Sequence, residues 1–110
     1  VDDDPAVLDS LATVFGIEGW RVRAYADGDQ FLAEAKRLKV DCLLIDVHMP
    51  KRSGIEVLEA LGGDAYGAPI FVISGHGDIP TAVTAIKAGA HDFIEKPFDA
   101  DAVIERVKEA

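Results

Sequence analysis

Apolar and polar residues along this chain switch between helical and extended spacing. Helical spacing extends over residues 4–18, where Asp4 suits the capping position and Pro5 the first turn. Residues 20–24 alternate apolar with charged side chains, as a half-exposed strand does, and helical spacing returns over residues 31–38. The pattern predicts a helix, a strand and a second helix.

Two unbroken apolar runs follow, at residues 42–45 and 70–73, and end at Asp46 and Ser74. Such runs are typical of strands that are covered on both faces. Helical segments at 54–61 and 80–88 come next, then an extended run at 92–96 and a helix from about Asp101. This alternation predicts an α/β fold with a doubly wound parallel sheet, in which ligands bind outside the carboxyl ends of the strands.

The chain opens on Val1, which is all that remains of a strand expected before Asp2 and Asp3. Most of this central strand is therefore predicted to be absent from the sequence. The length of 110 residues is that of one small domain, so we expect residues 1–110 to be a single domain. Because the chain also lacks an initial methionine, we expect it to be a fragment of a longer protein.

Composition and charge narrow the class of protein. The 20 acidic and 11 basic residues give a net charge of −9, which disfavours binding to nucleic acid or to anionic membranes by this domain. The sequence has no apolar stretch of membrane-spanning length and no signal-peptide pattern. The single cysteine, Cys42, cannot form an internal disulfide. We therefore expect a soluble, cytoplasmic protein.

Polar residues at the carboxyl ends of the predicted strands form one constellation of Asp2, Asp3, Asp46, Ser74 and Lys96. Three adjacent carboxylates repel one another, so they require a compensating cation, and oxygen ligands favour Mg²⁺. A carboxylate can also accept a phosphoryl group as a nucleophile, while ammonium and hydroxyl donors neutralise charge on the phosphoryl oxygens. The set is suited to phosphoryl transfer.

Each residue alone also has a structural explanation. Asp2 and Asp3 can belong to a helix-capping turn, Ser74 can be a capping hydroxyl and Lys96 a solvated surface charge. Asp46 is harder to explain in this way, because an acid that ends an apolar strand is costly unless it is paired or functional. The joint placement at one edge favours the functional interpretation.

Four motifs, taken together, carry a family resemblance. They are Val-Asp-Asp-Asp at 1–4, Leu-Ile-Asp-Val-His-Met-Pro at 44–50 with Ser53-Gly54 after it, Ile-Ser-Gly-His-Gly-Asp at 73–78, and Lys-Ala-Gly-Ala-His-Asp-Phe-Ile-Glu-Lys-Pro-Phe at 87–98. Over nearly its whole length the chain resembles the receiver domain of bacterial two-component response regulators, and most closely the FixJ-like subgroup.

The resemblance implies a flavodoxin-like (βα)5 sheet with strand order 2-1-3-4-5. It implies that Asp46 is the phosphoacceptor and that Mg²⁺ binds to Asp2, Asp3, Asp46 and the backbone carbonyl of His48. His48 is the histidine expected nearest to the site, whereas His76 and His91 are expected on the polar surface.

The resemblance also implies the remaining roles. Ser74 meets the incoming phosphoryl group, Lys96 is the lysine of the site and Phe93 is an aromatic residue that moves on activation. A cis peptide is implied between Lys96 and Pro97. By the same resemblance, the phosphoryl donor is expected to be a sensor histidine kinase, and the domain is expected to be a switch rather than an enzyme. We expect it to control an output domain in transcriptional regulation and to form a phosphorylation-dependent homodimer.

Three other functions fit part of the pattern. A haloacid-dehalogenase-type phosphatase also uses a strand-end aspartate with Mg²⁺, but its second acid is replaced here by His48 and the chain is too short. A nucleotide- or flavin-binding module would need a glycine where this chain has Pro80. A degenerate receiver that serves only as an interaction surface is disfavoured by the intact Asp46, Ser74 and Lys96.

Overall fold

A computed structural model of the protein describes residues 1–35, 37, 39–49, 52–62, 66–75, 78–96 and 98–109. Within these residues the secondary structure alternates between helices and strands. The elements are α1 (Pro5–Ile17), α2 (Gly28–Glu34), β1 (Leu43–Asp46), α3 (Gly54–Leu61), β2 (Ile70–Ser74), α4 (Ile79–Lys87), β3 (Asp92–Glu95) and α5 (Ala100–Glu109). The strands are parallel and lie in the order β1-β2-β3, which confirms the predicted parallel sheet.

Capping residues fix where the helices begin. The Asp4 carboxylate accepts a hydrogen bond from the first turn of α1, as predicted. The Asp27 carboxylate does the same for two N–H groups of α2, so this helix begins at Gly28 rather than at the predicted residue 31. Its predicted end, Leu38, lies outside the described residues. Ser53 and Glu56 form a capping box that starts α3 shortly after β1.

The sheet separates two apolar cores, and β2 contributes to both. All five residues of β2 are buried, with Ile70 and Val72 on one face and Phe71 and Ile73 on the other. Buried residues of α2, α3 and α4 pack on the first face, and those of α1 and α5 on the second. Burial of each Ile, Val or Phe side chain contributes roughly 1.5–3 kcal/mol to the free energy of folding. The helices on both faces therefore stabilise the central strand, β2.

The strand predicted at residues 20–24 is not formed; these residues have no regular secondary structure. Val1 lies beside β1, because its amino group donates to the Leu44 carbonyl at 2.6 Å and its carbonyl accepts from Asp46 N–H at 2.8 Å. On the other side, Asp2 N–H donates to the Tyr25 carbonyl at 3.0 Å. Val1 and Asp2 thus lie between β1 and Tyr25, where the predicted strand order places the first strand. Two residues are too few to form a strand with a ladder of hydrogen bonds.

A cavity of about 830 Å³ lies between this irregular segment and β1. Its lining includes Phe15 of α1, Phe31 of α2 and Leu43 of β1, together with Trp20 of the irregular segment. Its lining includes neither Asp46 nor Ser74, so the cavity is separate from the polar site at the carboxyl end of the sheet.

Helix α4 packs against β2 and β3 through small side chains. Its buried residues are Ala82 and Ala85, whereas Ile79, Val83 and Ile86 are 52%, 46% and 43% exposed. The exposed three follow helical spacing and form one apolar stripe. None of the helices in the described part of the chain is long and apolar enough to cross a membrane.

Candidate functional site

Asp46 occupies the centre of the site, at the last position of β1. Asp46 is only 3% exposed. Its N–H donates to the Val1 carbonyl, and the N–H of the following Val47 donates to the Ile73 carbonyl on the other neighbouring segment. One carboxylate oxygen, Oδ1, accepts from His48 N–H at 3.1 Å, and Oδ2 accepts from Lys96 Nζ at 3.1 Å. The carboxylate is therefore held at both oxygens in a fixed orientation.

Two further carboxylates complete an acidic cluster. Asp2, Asp3 and Asp46 each offer an oxygen within 4.8 Å of the others. Asp2 is 1% exposed and accepts from Asp4 N–H at 2.9 Å, whereas Asp3 is exposed. Because Mg²⁺–oxygen distances are about 2.0–2.1 Å, opposite ligands of one ion are about 4.2 Å apart. The spacing of the three carboxylates suits a small divalent cation.

Lys96 supplies positive charge to this cluster. Its Nζ lies 3.1 Å from Asp46 Oδ2 and 3.4 Å from Asp2 Oδ2. Burial alone would lower the pKa of Lys96, but the hydrogen bonds and charges of Asp46 and Asp2 together outweigh it and raise that pKa. Burial raises the pKa of Asp2, and the Asp46 carboxylate adds to this effect. The Lys96 ammonium group thus stays charged, while the fold holds the Asp2 and Asp46 carboxylates close together.

Ser74 ends β2 beside Asp46 and is buried. No described residue hydrogen-bonds to its Oγ, although its carbonyl accepts from Lys96 N–H at 2.8 Å. A buried hydroxyl without a partner is costly, which indicates that a ligand atom can complete its hydrogen bonding. Phe93 lies in β3, opposite Val72 of β2, and is half-buried.

His48 connects this site to α4, a contact that the sequence did not predict. Its Nε2 lies 3.1 Å from Oδ2 of Asp78, the residue that precedes α4. Hydrogen bonding to Thr81 in the first turn of α4, and then the interaction with His48, lower the pKa of Asp78. The order Asp-Ile-Pro at 78–80 is a helix-start signal, but sequence spacing gives no sign of a partner 30 residues away.

The other predicted residues of this region have mixed outcomes. His91 lies on the surface, as expected. The prediction for His76 and the predicted cis peptide before Pro97 fall on positions outside the described residues. The metal-ligand role of the His48 carbonyl stays a prediction.

Gly54 is part of the site for a steric reason that the sequence did not reveal. A Cβ atom at this position would lie 2.3 Å from the Asp46 carbonyl oxygen and 2.8 Å from Val47 Cα. Gly54 N–H also donates to the Val47 carbonyl at 2.9 Å. The start of α3 is therefore pressed against the end of β1, and glycine is the residue that permits this approach.

The chain matches the family described as "Response regulator receiver domain" over residues 1–108, and it belongs to that family. It is 44% identical over 110 residues to the transcriptional regulatory protein FixJ of Rhizobium meliloti (strain 1021), covering 100% of this chain and 54% of that protein. It is also 44% identical to the response regulator protein TmoT of Ectopseudomonas mendocina, of which it covers 50%. The chain spans about half the length of these curated relatives.

Solved structures confirm the fold. The crystal structure of FixJ-N matches with a TM-score of 0.87 and 45% identity, over 99% of this chain and 86% of that one. Full-length FixJ from B. japonicum matches with a TM-score of 0.89 and 39% identity, over 98% of this chain and 53% of that one. The chain is therefore a flavodoxin-like receiver domain of the FixJ-like response regulators, a signalling switch, as the sequence motifs predicted.

Proposed function

We propose that this chain is the receiver domain of a longer, cytoplasmic response regulator and that it accepts a phosphoryl group on Asp46 from a sensor histidine kinase. The observation that supports this most directly is the buried Asp46 carboxylate, held by Lys96 Nζ and by His48 N–H at the edge of an acidic cluster. The net charge of −9 disfavours nucleic-acid binding by this domain, so a transcriptional output would reside elsewhere in the regulator.

The donor set fits a bound Mg²⁺. Asp2, Asp3 and Asp46 would hold the ion through carboxylate oxygens, with the backbone carbonyl of His48 as a further ligand. When bound, Mg²⁺ supplies positive charge beside the transferring phosphoryl group and compensates the repulsion among the carboxylates.

The chain's own residues have distinct roles in the transfer. An oxygen of Asp46 forms the new bond to phosphorus as the bond from phosphorus to the kinase histidine nitrogen breaks, and the imidazole leaves with that electron pair. Lys96 Nζ, 3.1 Å from Asp46 Oδ2, orients the carboxylate and donates to the phosphoryl oxygens. The buried Ser74 hydroxyl donates to another phosphoryl oxygen.

Replacing Lys96 with alanine is expected to separate metal binding from switching. The ammonium group repels a cation at the acidic cluster, so the Mg²⁺ affinity of Lys96→Ala should be unchanged or tighter. The structural response to beryllofluoride, a stable phosphoryl mimic, should be lost, because the alanine side chain cannot contact the ligand on Asp46. Calorimetric titration measures the Mg²⁺ affinity, and the amide NMR resonances of the domain report the structural response to beryllofluoride.

Lys39→Ala is the matched control, since it removes an exposed lysine that precedes β1 and lines the separate cavity, whereas Asp46 lies at the carboxyl end of that strand. It should resemble the wild type in both measurements. A Lys96→Ala protein that responds to beryllofluoride as the wild type does would contradict the proposed role of Lys96.

The proposed output begins at Ser74. When its hydroxyl moves toward the phosphoryl group, space opens into which the Phe93 ring turns, and α4 shifts. A few kcal/mol of differential contacts is on the order of typical coupling energies and suffices to bias such an equilibrium. The exposed stripe of Ile79, Val83 and Ile86 on α4 supports dimerisation through this face.

Sedimentation should therefore show a shift from monomer toward dimer when Mg²⁺ and beryllofluoride are added together. Ser74→Ala should weaken the shift, because the ligand then has no hydroxyl partner in β2. Ser10→Ala, which removes an exposed hydroxyl from α1, should leave the shift intact. If beryllofluoride binds at Asp46 while the mass and the Phe93 environment stay unchanged, this output mechanism is wrong.

A further inference from the structure

A single residue links the acceptor carboxylate to α4. His48 N–H donates to Asp46 Oδ1 at 3.1 Å, and the His48 imidazole Nε2 lies 3.1 Å from Asp78 Oδ2. Asp78 immediately precedes α4, and its backbone carbonyl accepts from Ala82 N–H in that helix at 3.2 Å. The path from Asp46 to α4 therefore consists of two polar contacts in series, and neither of them involves Ser74 or Phe93.

The two ends of this path are held differently. His48 lies two residues after the end of β1, and the intervening Val47 N–H donates to the Ile73 carbonyl of β2, which fixes the backbone there. Asp78 is joined to α4, whose buried side chains are Ala82 and Ala85. In the shift of α4 proposed above, Asp78 would move with the helix, whereas His48 would stay with the sheet. The distance between the two side chains must then change, because one of them belongs to the sheet and the other to the moving helix.

We propose that the contact between His48 and Asp78 is a tether that restrains α4 in the unphosphorylated domain. It is a second connection between Asp46 and α4, and it opposes the shift that the Ser74 hydroxyl promotes. The inference rests on the proposed function, since it assumes that occupation of Asp46 displaces α4. Asp78 acts here as a positioning residue, because it touches His48 rather than the phosphoryl group.

The tether sets the sign of the expected effect. An interaction that is present in the resting state and absent in the activated state lowers the affinity for any ligand that requires activation. Removing it should therefore tighten the binding of beryllofluoride. The His48 side chain is 65% exposed and that of Asp78 26%, so the contact is partly screened by solvent. For contacts of this type a roughly two- to fivefold change in Kd is expected.

The test is a double-mutant cycle on beryllofluoride binding in the presence of saturating Mg²⁺. Asp78→Ser keeps a residue that caps helices well but is too short to reach His48. His48→Ala removes the imidazole and keeps the backbone N–H to Asp46. Each variant should bind beryllofluoride roughly two- to fivefold more tightly than the wild type, and the double variant no more tightly than either, because both remove one contact.

A spectroscopic measurement separates a tether from a general loss of structure. Without beryllofluoride, the amide resonances of α4 in Asp78→Ser should lie between the free and bound positions of the wild type. Asp29→Asn provides the matched control. It removes one negative charge and the 2.6 Å ion pair with Arg52, which does not involve α4, and it should leave the affinity and the α4 resonances unchanged.

Two outcomes would overturn the tether while leaving the phosphoacceptor site intact. One is an Asp78→Ser protein that binds beryllofluoride with wild-type or weaker affinity. The other is a double variant whose gain equals the product of the two single gains, since independent effects multiply in this way. If the wild type itself does not bind beryllofluoride, the proposed function fails first, and the tether fails with it.

Discussion

Replacing Asp46 with asparagine is expected to abolish phosphorylation of the domain. The amide has no anionic oxygen to attack phosphorus, but its carbonyl oxygen can still accept from His48 N–H, so the fold should persist. Incubation with a small amidophosphate and Mg²⁺ should add the mass of one phosphoryl group to the wild type and none to Asp46→Asn. Chelation of Mg²⁺ should prevent the addition to the wild type as well.

Asp9→Asn is the control for this experiment, because Asp9 is an exposed carboxylate on α1. It should be labelled to the same extent as the wild type. Equal labelling of Asp46→Asn and the wild type would show that another residue accepts the phosphoryl group, and a degenerate receiver would show no labelling of the wild type.

The second large effect is expected at Gly54, where one added methyl group should destabilise the whole domain. Its carbon would lie 2.3 Å from the Asp46 carbonyl oxygen and 2.8 Å from Val47 Cα, and this backbone cannot move aside easily because it is hydrogen-bonded to Val1 on one side and to Ile73 on the other. Overpacking of this type costs about 2–3 kcal/mol. For a domain of this size the melting temperature of Gly54→Ala should fall by roughly 10 °C. Differential scanning calorimetry measures both quantities.

Gly16→Ala offers the opposite case within the same chain. Gly16 lies in α1, and a Cβ atom there has no neighbour within 4 Å among the described residues. Since alanine is favoured over glycine in helices by roughly 0.5–1 kcal/mol, this variant should be as stable as the wild type or slightly more stable. A Gly54→Ala protein with the same stability as Gly16→Ala would refute the steric argument.

The sequence predicted the sheet and the residues at its edge because both follow from local patterns. The apolar runs that end at Asp46 and Ser74 are strands covered on both faces, and parallel strands bring their carboxyl ends to one edge. Lys96 follows the next strand and lies 3.1 Å from Asp46, as this rule requires. The placement of these side chains therefore needed no knowledge of long-range contacts.

Three features could not be predicted in this way. The alternating pattern at residues 20–24 is compatible with a strand, but a strand forms only where a neighbour offers a ladder of hydrogen bonds. The close approach of Gly54 depends on how α3 packs against β1, which composition does not specify. The contact of His48 with Asp78 joins two loops, and its two residues are 30 positions apart.

The seating of α4 on the sheet has a mechanical consequence. Alanine has no rotatable side-chain torsion, and the buried side chains of α4, Ala82 and Ala85, contribute only methyl groups to its contact with the sheet. A helix that is seated in this way can slide or rotate by a fraction of a turn without forcing neighbouring side chains through new rotamers. The larger side chains, Ile79, Val83 and Ile86, lie on the solvent side of the helix and would move with it. In the proposed switch, a small displacement at Asp46 would therefore become a displacement of this apolar surface, with few core side chains having to repack.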